Sequence, residues 1–165
     1  MHNGKLYLQP NWESLKGDTE YSLSDILEDQ VSDEYLFEGN DCILEFNGKE
    51  VKVRQATKQG WDIGREGDAI NVSNPKSKTR RGRVGKGVAQ TLLTSREQIV
   101  IQDGRMRWLT ERESWRLQGI PDEYFDRAKE VTSSNQLYKQ AGNGLTVDIA
   151  RFIGERMGFE DEIQN

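Results

Sequence analysis

Two stretches, "DCILEFNGKEVKVRQ" (41–55) and "EQIVIQDGRMRWL" (97–109), do most to limit the architectures open to this chain. Each holds two alternating apolar and polar runs around a dipeptide that tolerates positive φ, Asn47-Gly48 in the first and Asp103-Gly104 in the second. Alternation at period two gives a strand one buried face, and such a dipeptide between two strands closes a two-residue hairpin. Ile43, Leu44 and Phe46, with Val51 and Val53, are expected to supply the buried side of the first hairpin. Antiparallel pairing therefore dominates the first two-thirds of the chain.

The last third reads as helix. In "LTERESWRLQGIPD" Thr110 and Glu113 have capping-box spacing, and Gly119 with Pro121 marks a stop. "SSNQLYKQAG" is expected to start at a Ser N-cap and end at Gly142. "LTVDIARFIGERMG" places Ile149, Phe152, Ile153 and Met157 on one helical stripe ending at Gly158. Near the start, "YSLSDILEDQV" pairs Ser22 with Asp25 as a further N-cap box before Ile26 and Leu27. Residues 56–96, rich in Gly, Ser, Thr, Lys and Arg, read as a long loop-dominated region, and loops of that length are usually functional or disordered. The expected fold is α+β: an irregular strand-and-loop lobe with β-hairpins, then a short helical C-terminal lobe.

Charge distribution says more than its total. The net charge is −5, yet residues 1–50 hold 12 acids and 3 bases, residues 51–108 hold 5 acids and 13 bases, and residues 109–165 hold 11 acids and 7 bases. The three segments carry −9, +8 and −4, so the middle one suits a polyanion. No apolar run is long enough for a membrane span, and "MHNGKLYLQPNW" has no apolar signal-peptide core. Cys42 is the only cysteine, which excludes an internal disulfide and a cysteine-built zinc site. A reducing, cytoplasmic setting is expected.

The middle segment centres on "PKSKTRRGRVGKG" (75–87), with Lys76, Lys78, Arg80, Arg81, Arg83 and Lys86, three glycines and no acid. Such a run neutralises phosphates, and its arginines can reach guanine edges in the major groove. A solvated surface loop has the same composition, so both readings stand at this level. "VAQTLLTS" (88–95) follows; by itself Thr91-Leu92 is an ordinary short strand. Trp108, Leu109, Trp115 and Leu117 read as core, and Arg116 as either a surface base or a buried tether. Gly142-Asn143-Gly144 is either a helix stop and restart or a tight bend contacting a small molecule. No catalytic constellation stands out. His2 is the sole histidine, Cys42 has no neighbouring base, and no metal-ligand spacing occurs.

Taken together, "RWLTERESWRLQGIPDEY" (107–124) and "NQLYKQAGNGLTVDIARFIGERM" (135–157) resemble the last two conserved motifs of DNA (cytosine-5)-methyltransferases, usually numbered IX and X, in the family's order and spacing. The segment from "SLSDILED" through "SKTRRGRVGKGVAQTLLTS" is similar to the family's target-recognition region, with Thr91-Leu92 at its Thr-Leu dipeptide. The resemblance covers roughly residues 20–158. The family's Pro-Cys nucleophile, Glu-Asn-Val glutamate and Phe-x-Gly-x-Gly cofactor loop are absent from the sequence, and Arg81-Gly82-Arg83 lies in the recognition region, so no Arg-x-Arg role is carried onto it.

The resemblance implies the following. Asn143, Gly144 and Leu145 complete an S-adenosylmethionine pocket near the cofactor's methionine moiety. Lys76, Lys78, Arg80, Arg81, Arg83, Lys86, Gln90, Thr91 and Leu92 contact double-stranded DNA around a flipped cytosine, and Thr110, Glu113 and Arg116 brace the recognition region. The family's reaction, covalent attack on cytosine C6 and methyl transfer to C5, needs a cysteine that this sequence does not hold. The expected organisation is a lead-in (1–19), a target-recognition region (20–108), a helical region with motifs IX and X (109–158) and a tail (159–165). The chain is expected to act as the second subunit of a split enzyme, of restriction-modification type, or as the C-terminal piece of a single-chain one. In either case it is expected to be inactive without a catalytic half and to expose apolar surface toward it from Ile149, Phe152 and Ile153. A stand-alone sequence-specific DNA-binding regulator derived from a methyltransferase is the alternative.

Overall fold

A computed structural model describes residues 22–79 and 82–157. The expected lead-in, the tail, Gly158, Arg80 and Arg81 lie outside the described residues. The fold is α+β; among the described residues seven strands form two antiparallel sheets, followed by a helical part. A one-turn helix α1 (Leu23–Ile26) precedes the strands. There Ser22 donates to the Asp25 carboxylate from its backbone N–H at 2.7 Å and from its hydroxyl at 2.9 Å, so the box residues meet as the sequence indicates.

Strands β1 (Ile43–Phe46), β2 (Glu50–Arg54) and β3 (Trp61–Arg65) form the first sheet in that order. The first hairpin exists, but its turn is one residue later than the sequence suggests. Asn47 N–H donates to the Glu50 carbonyl at 3.2 Å, so the two central residues are Gly48 and Lys49, with Gly48 at φ +87°. The Asn47 side chain closes the turn by accepting from Lys49 and Glu50 N–H groups. Leu44 is a second correction. Between the pairs Ile43↔Val53 and Glu45↔Lys52 the register slips by one residue, a bulge that turns Leu44 to solvent while Val51 and Val53 are fully buried.

The second sheet runs β5 (Arg83–Gly85), β4 (Ala69–Asn71), β6 (Gln98–Gln102), β7 (Arg105–Trp108). Asp103 (φ +51°) and Gly104 (φ +73°) form the second turn where expected, between the partners Gln102 and Arg105. Residues 56–96 are more ordered than their composition indicates, for β3, β4 and β5 all fall within them. These strands have three to five residues and two of them contain glycine, too short and interrupted for a period-two signal. Val51, Val53, Ile70, Val72, Ile99 and Ile101 form the central apolar cluster, each side chain worth roughly 1.5–3 kcal/mol of burial. Trp108 packs at its edge against Phe37, ring centroids 4.8 Å apart.

Helices α2 (Glu111–Leu117), α3 (Asp122–Lys129), α4 (Ser134–Asn143) and α5 (Val147–Arg156) follow. Thr110 and Glu113 form the expected capping box: the Thr110 hydroxyl accepts from Glu113 N–H at 3.1 Å, and the Glu113 carboxylate from Thr110 N–H at 2.8 Å. Gly119 at φ +75° ends this helical stretch, and Pro121 then starts α3 rather than only marking a stop. Trp115, Phe125, Leu137 and Ala141 make the core of the helical part. Contrary to expectation, α4 continues through Gly142 to Asn143.

One buried ion pair joins the two parts. Glu113 has 0% exposure and accepts from Arg107 twice, at 2.7 and 2.8 Å, and from the backbone N–H groups of Thr110 and Glu28, both at 2.8 Å. The Arg107 guanidinium also donates to Gln102 and to the Trp108 carbonyl. Because removing one partner strands a buried charge, Arg107→Ala should lower the unfolding free energy by about 3–5 kcal/mol in urea titrations. An Arg107→Met, Glu113→Leu double variant should recover only part of this, since Glu28 and Thr110 N–H would lose their acceptor.

Candidate nucleic-acid interface and cofactor edge

The basic run begins beside β4 and returns as β5, where Asn71 pairs with Arg83. Its path depends on Gly82, buried at φ +52°, where a Cβ would lie 2.0 Å from the Arg54 carbonyl oxygen. Glycine here lets the run cross the end of β2 with no side chain between them. Lys76, Lys78 and Arg83 are exposed. Lys86 is exposed too, but its ammonium bonds the Ile63 carbonyl and pairs with Asp68 at 3.4 Å and Asp62 at 3.9 Å. Asp68 also accepts from Gly87 N–H at 3.0 Å, so Lys86 and Asp68 together hold the loop base.

Gln90 is fixed through its backbone by a reciprocal pairing with Gln98: each donates to the other at 2.8 Å. Thr91 and Leu92 belong to no strand. Thr91 is exposed, whereas Leu92 packs against the Trp115, Phe125, Leu137 and Ala141 cluster. Farther along the same loop, Arg96 lies over the Tyr35 ring (4.8 Å) and the Tyr138 ring (5.4 Å) and faces Glu111. Burial alone would raise the Glu111 carboxyl, but hydrogen bonds from Ser134 and from Tyr35 (2.5 Å), with Arg96 nearby, hold it below the usual carboxylate range. Burial and the Glu111 charge push the Tyr35 and Tyr138 hydroxyls well above their ordinary value. A fixed negative charge under neutral phenols thus anchors the loop's far end.

Arg116 is a tether. It donates to both Asp122 carboxylate oxygens, at 2.9 and 2.7 Å, and to the Ile26 carbonyl at 2.9 Å. The guanidinium in turn keeps the Asp122 carboxyl below its ordinary value. Thr110, Glu113 and Arg116 therefore converge on one junction between α1, β7 and α2; Thr110 and Glu113 are buried there, while Arg116 also lines an open groove with Ile26, Ala89 and Thr146.

At "AGNG" the structure gives each residue a different reason. Neither Gly142 nor Gly144 has positive φ. A Cβ on Gly142 would lie 2.3 Å from the Leu93 carbonyl oxygen and 2.8 Å from Thr94 N, so this glycine admits the backbone of the chain's own loop at residues 93–94. Asn143 ends α4, Gly144 is its C-cap, and Asn143, Gly144 and Leu145 are all exposed. Sequence reasoning offered a turn or a small molecule; it missed the approach of residues 93–94, which no local signal reports. Helix α5 begins where Val147 N–H donates to the Gln118 carbonyl at 2.8 Å, and the three apolar clusters among the described residues contain no residue of it. Leu145, Ile149, Ile153 and Met157 are 41 to 61% exposed and form an apolar strip, while Phe152 is half-buried. Among the described residues no helix is long and apolar enough to cross a membrane.

With this arrangement in place, similarity to known proteins becomes informative. The C-5 cytosine-specific DNA methylase family model matches residues 3–158, and the chain belongs to that family. It is 27% identical to the type II methyltransferase M.SsoII of Shigella sonnei over 84% of this chain and 32% of that protein. It is 52% identical to the orphan methyltransferase M.Rho11sI of Bacillus phage rho11s over 30% of this chain and 10% of that protein. With the DNA (cytosine-5)-methyltransferase CMT2 of Oryza sativa subsp. japonica it shares 38% identity over 52% of this chain and 6% of that one. The matched part thus spans about a third or less of each relative.

The Gly142 contact can be tested by its sign. In an open helix interior, Gly→Ala stabilises by about 1 kcal/mol. At Gly142 the clash with Leu93 and Thr94 should reverse this, costing about 1–3 kcal/mol in urea unfolding. Gly154→Ala in α5, where nothing lies within 4 Å of a new Cβ, should keep the favourable sign.

Proposed function

We propose that this chain supplies the duplex-recognition surface and one edge of the S-adenosylmethionine pocket of a cytosine-5 methyltransferase, and that a second polypeptide segment bearing the Pro-Cys and Phe-x-Gly-x-Gly motifs supplies the rest. The observation that carries this reading is the exposed strip of Leu145, Ile149, Ile153 and Met157, contiguous with Asn143 and Gly144. Apolar surface left open beside a cofactor motif is what remains when a covering body lies elsewhere. The absence of the nucleophile and cofactor-loop motifs from the sequence supports the same division.

The donor set at Asn143–Leu145 fits part of the cofactor. An exposed amide beside an exposed leucine suits a ligand with an aminocarboxylate and a short methylene chain, and contacts it from one side only. S-adenosylmethionine, when bound, supplies the methyl group. This chain's residues orient the complex: Asn143 hydrogen-bonds the polar end, Leu145 excludes water from one side, and Gly142 keeps the Thr91-Leu92 loop against the helix that presents them. Lys76, Lys78, Arg80, Arg81 and Arg83 engage the duplex, Lys86 holds the loop base, Gln90 and Thr91 lie nearest the flipped cytosine, and Leu92 seats that segment against the helical cluster. Thr110, Glu113 and Arg116 brace that surface and touch no reacting atom. The target-recognition region then covers 20–108 and the pocket-completing helices 109–158.

A stand-alone DNA-binding regulator has no use for this apolar strip, which favours the split arrangement. Radiolabelled methyl transfer to duplex DNA checks it. The chain alone should transfer nothing, and addition of a chain carrying the Pro-Cys motif should restore transfer. In the restored enzyme, Asn143→Ala should raise the cofactor concentration for half-maximal rate about tenfold, the loss of one hydrogen bond to a charged group. Transfer by the isolated chain would refute the division of labour, and an unchanged cofactor requirement would remove Asn143 from the pocket.

A further inference from the structure

A polar groove opens between the two sheets, beside the basic run, and its lining differs in kind from that run. Gln55 follows β2, Asp62 lies on β3, Asn71 and Asn74 sit on and just beyond β4, Arg83 opens β5, and Gln90 faces them from the loop. Lys76 and Lys78 do not line it. Four amides, one carboxylate and one guanidinium make a mixed set of donors and acceptors, poorly matched to a row of phosphates. The edges of base pairs present such mixed patterns, which Asn and Gln read on adenine, Arg on guanine, and Asp on the cytosine amino group.

Most of these groups are also held in place. Asn71 accepts from Ser73 N–H at 2.9 Å and from its hydroxyl at 2.5 Å, which orients the amide. Gln90 donates to the Arg83 carbonyl at 3.0 Å, and its backbone is locked to Gln98. Asn74 stands at φ +55°, a conformation that places it at the groove mouth after the strand ends. Asp62 accepts from Ile63 N–H at 2.8 Å and faces Lys86, whereas the Gln55 amide makes only a long 3.5 Å contact to Asp62, which leaves Gln55 able to turn to a ligand. Arg83 is exposed and directly opposite Asn71 across the β4–β5 pair.

We infer that this groove reads base edges, with Gln55 and Asn74 as specificity-determining residues alongside Arg83, while Lys76 and Lys78 at its margin hold the phosphates without reading sequence. The inference rests on the proposed duplex-recognition role and adds residues outside the basic run, one of them twenty positions before it. It separates two tasks that the run's composition merges, since phosphate contacts position a protein and base contacts specify the site.

Selection of the full chain, alone and with a catalytic half, on a randomised duplex pool tests this, followed by salt titrations of the enriched duplex. Gln55→Ala and Asn74→Ala should each lose preference at a base pair by about tenfold or more, with the salt slope unchanged. Gln55→Glu, which keeps the shape but replaces the donor by a second acceptor, should shift the preferred base rather than abolish binding. Lys76→Ala and Lys78→Ala should instead weaken all sequences alike and reduce the log–log salt slope by roughly 0.9 each. If the amide variants enrich the wild-type motif unchanged, the groove is not the reader, although the recognition role stands. If the wild-type chain binds no duplex in either state, the recognition role fails and the groove assignment with it.

Discussion

The Glu113 carboxylate is the constraint on which the rest of the molecule depends. It is wholly buried and receives four hydrogen bonds from three separate segments: Arg107 on β7, Thr110 at the start of α2, and Glu28 after α1. A charge so buried is tolerable only with every acceptor site used, so these segments meet in one way. Outward from it the pattern continues with charge-assisted bonds. Glu28 receives Thr110 at 2.6 Å and Arg112 at 3.2 Å, and Arg116 reaches both Asp122 and the Ile26 carbonyl. The sheets and helices are thereby set at one angle, and the loop strung between them inherits it.

That loop is fixed at both ends by opposite charge. Asp68 and Lys86 close its first end, and Arg96 between two tyrosines over Glu111 closes its last. Between them Gly142 lets the backbone of residues 93 and 94 lie directly on α4. The helix that presents Asn143 is therefore in contact with the loop that presents Thr91. In the proposed enzyme this places the cofactor edge and the base-facing loop on one rigid support, with no spacer to absorb a shift of either.

Much of this was legible in the chain, and the failures have physical causes. Turn chemistry located both hairpins because Asn47-Gly48 and Asp103-Gly104 carry local steric information, and the Thr110–Glu113 box was readable because a cap is defined by two residues three apart. Leu44 was misassigned because a bulge is decided by the partner strand, not by the alternation of its own strand. Strands β3, β4 and β5 give too short a pattern, and "AGNG" reads locally as a turn although its first glycine answers to Leu93 and Thr94, far back in the sequence. Exposure of Ile149 and Ile153 agrees with what the resemblance implies, whereas Phe152, expected on the same open face, is half-buried. Gln55 and Asn74 gave no signal at all: scattered amides become a set only once the strands place them around one groove.

The family's relatives extend well beyond the part this chain matches, and the proposed division of labour places a second body over the exposed apolar strip beside Asn143. Equilibrium binding of radiolabelled S-adenosylmethionine to this chain, to a chain carrying the Phe-x-Gly-x-Gly and Pro-Cys motifs, and to their equimolar mixture tests that most directly. The account predicts negligible binding by this chain alone and tighter binding by the mixture than by the other chain alone. A mixture that binds no better than the separate chains, or a complete site on this chain by itself, would contradict it.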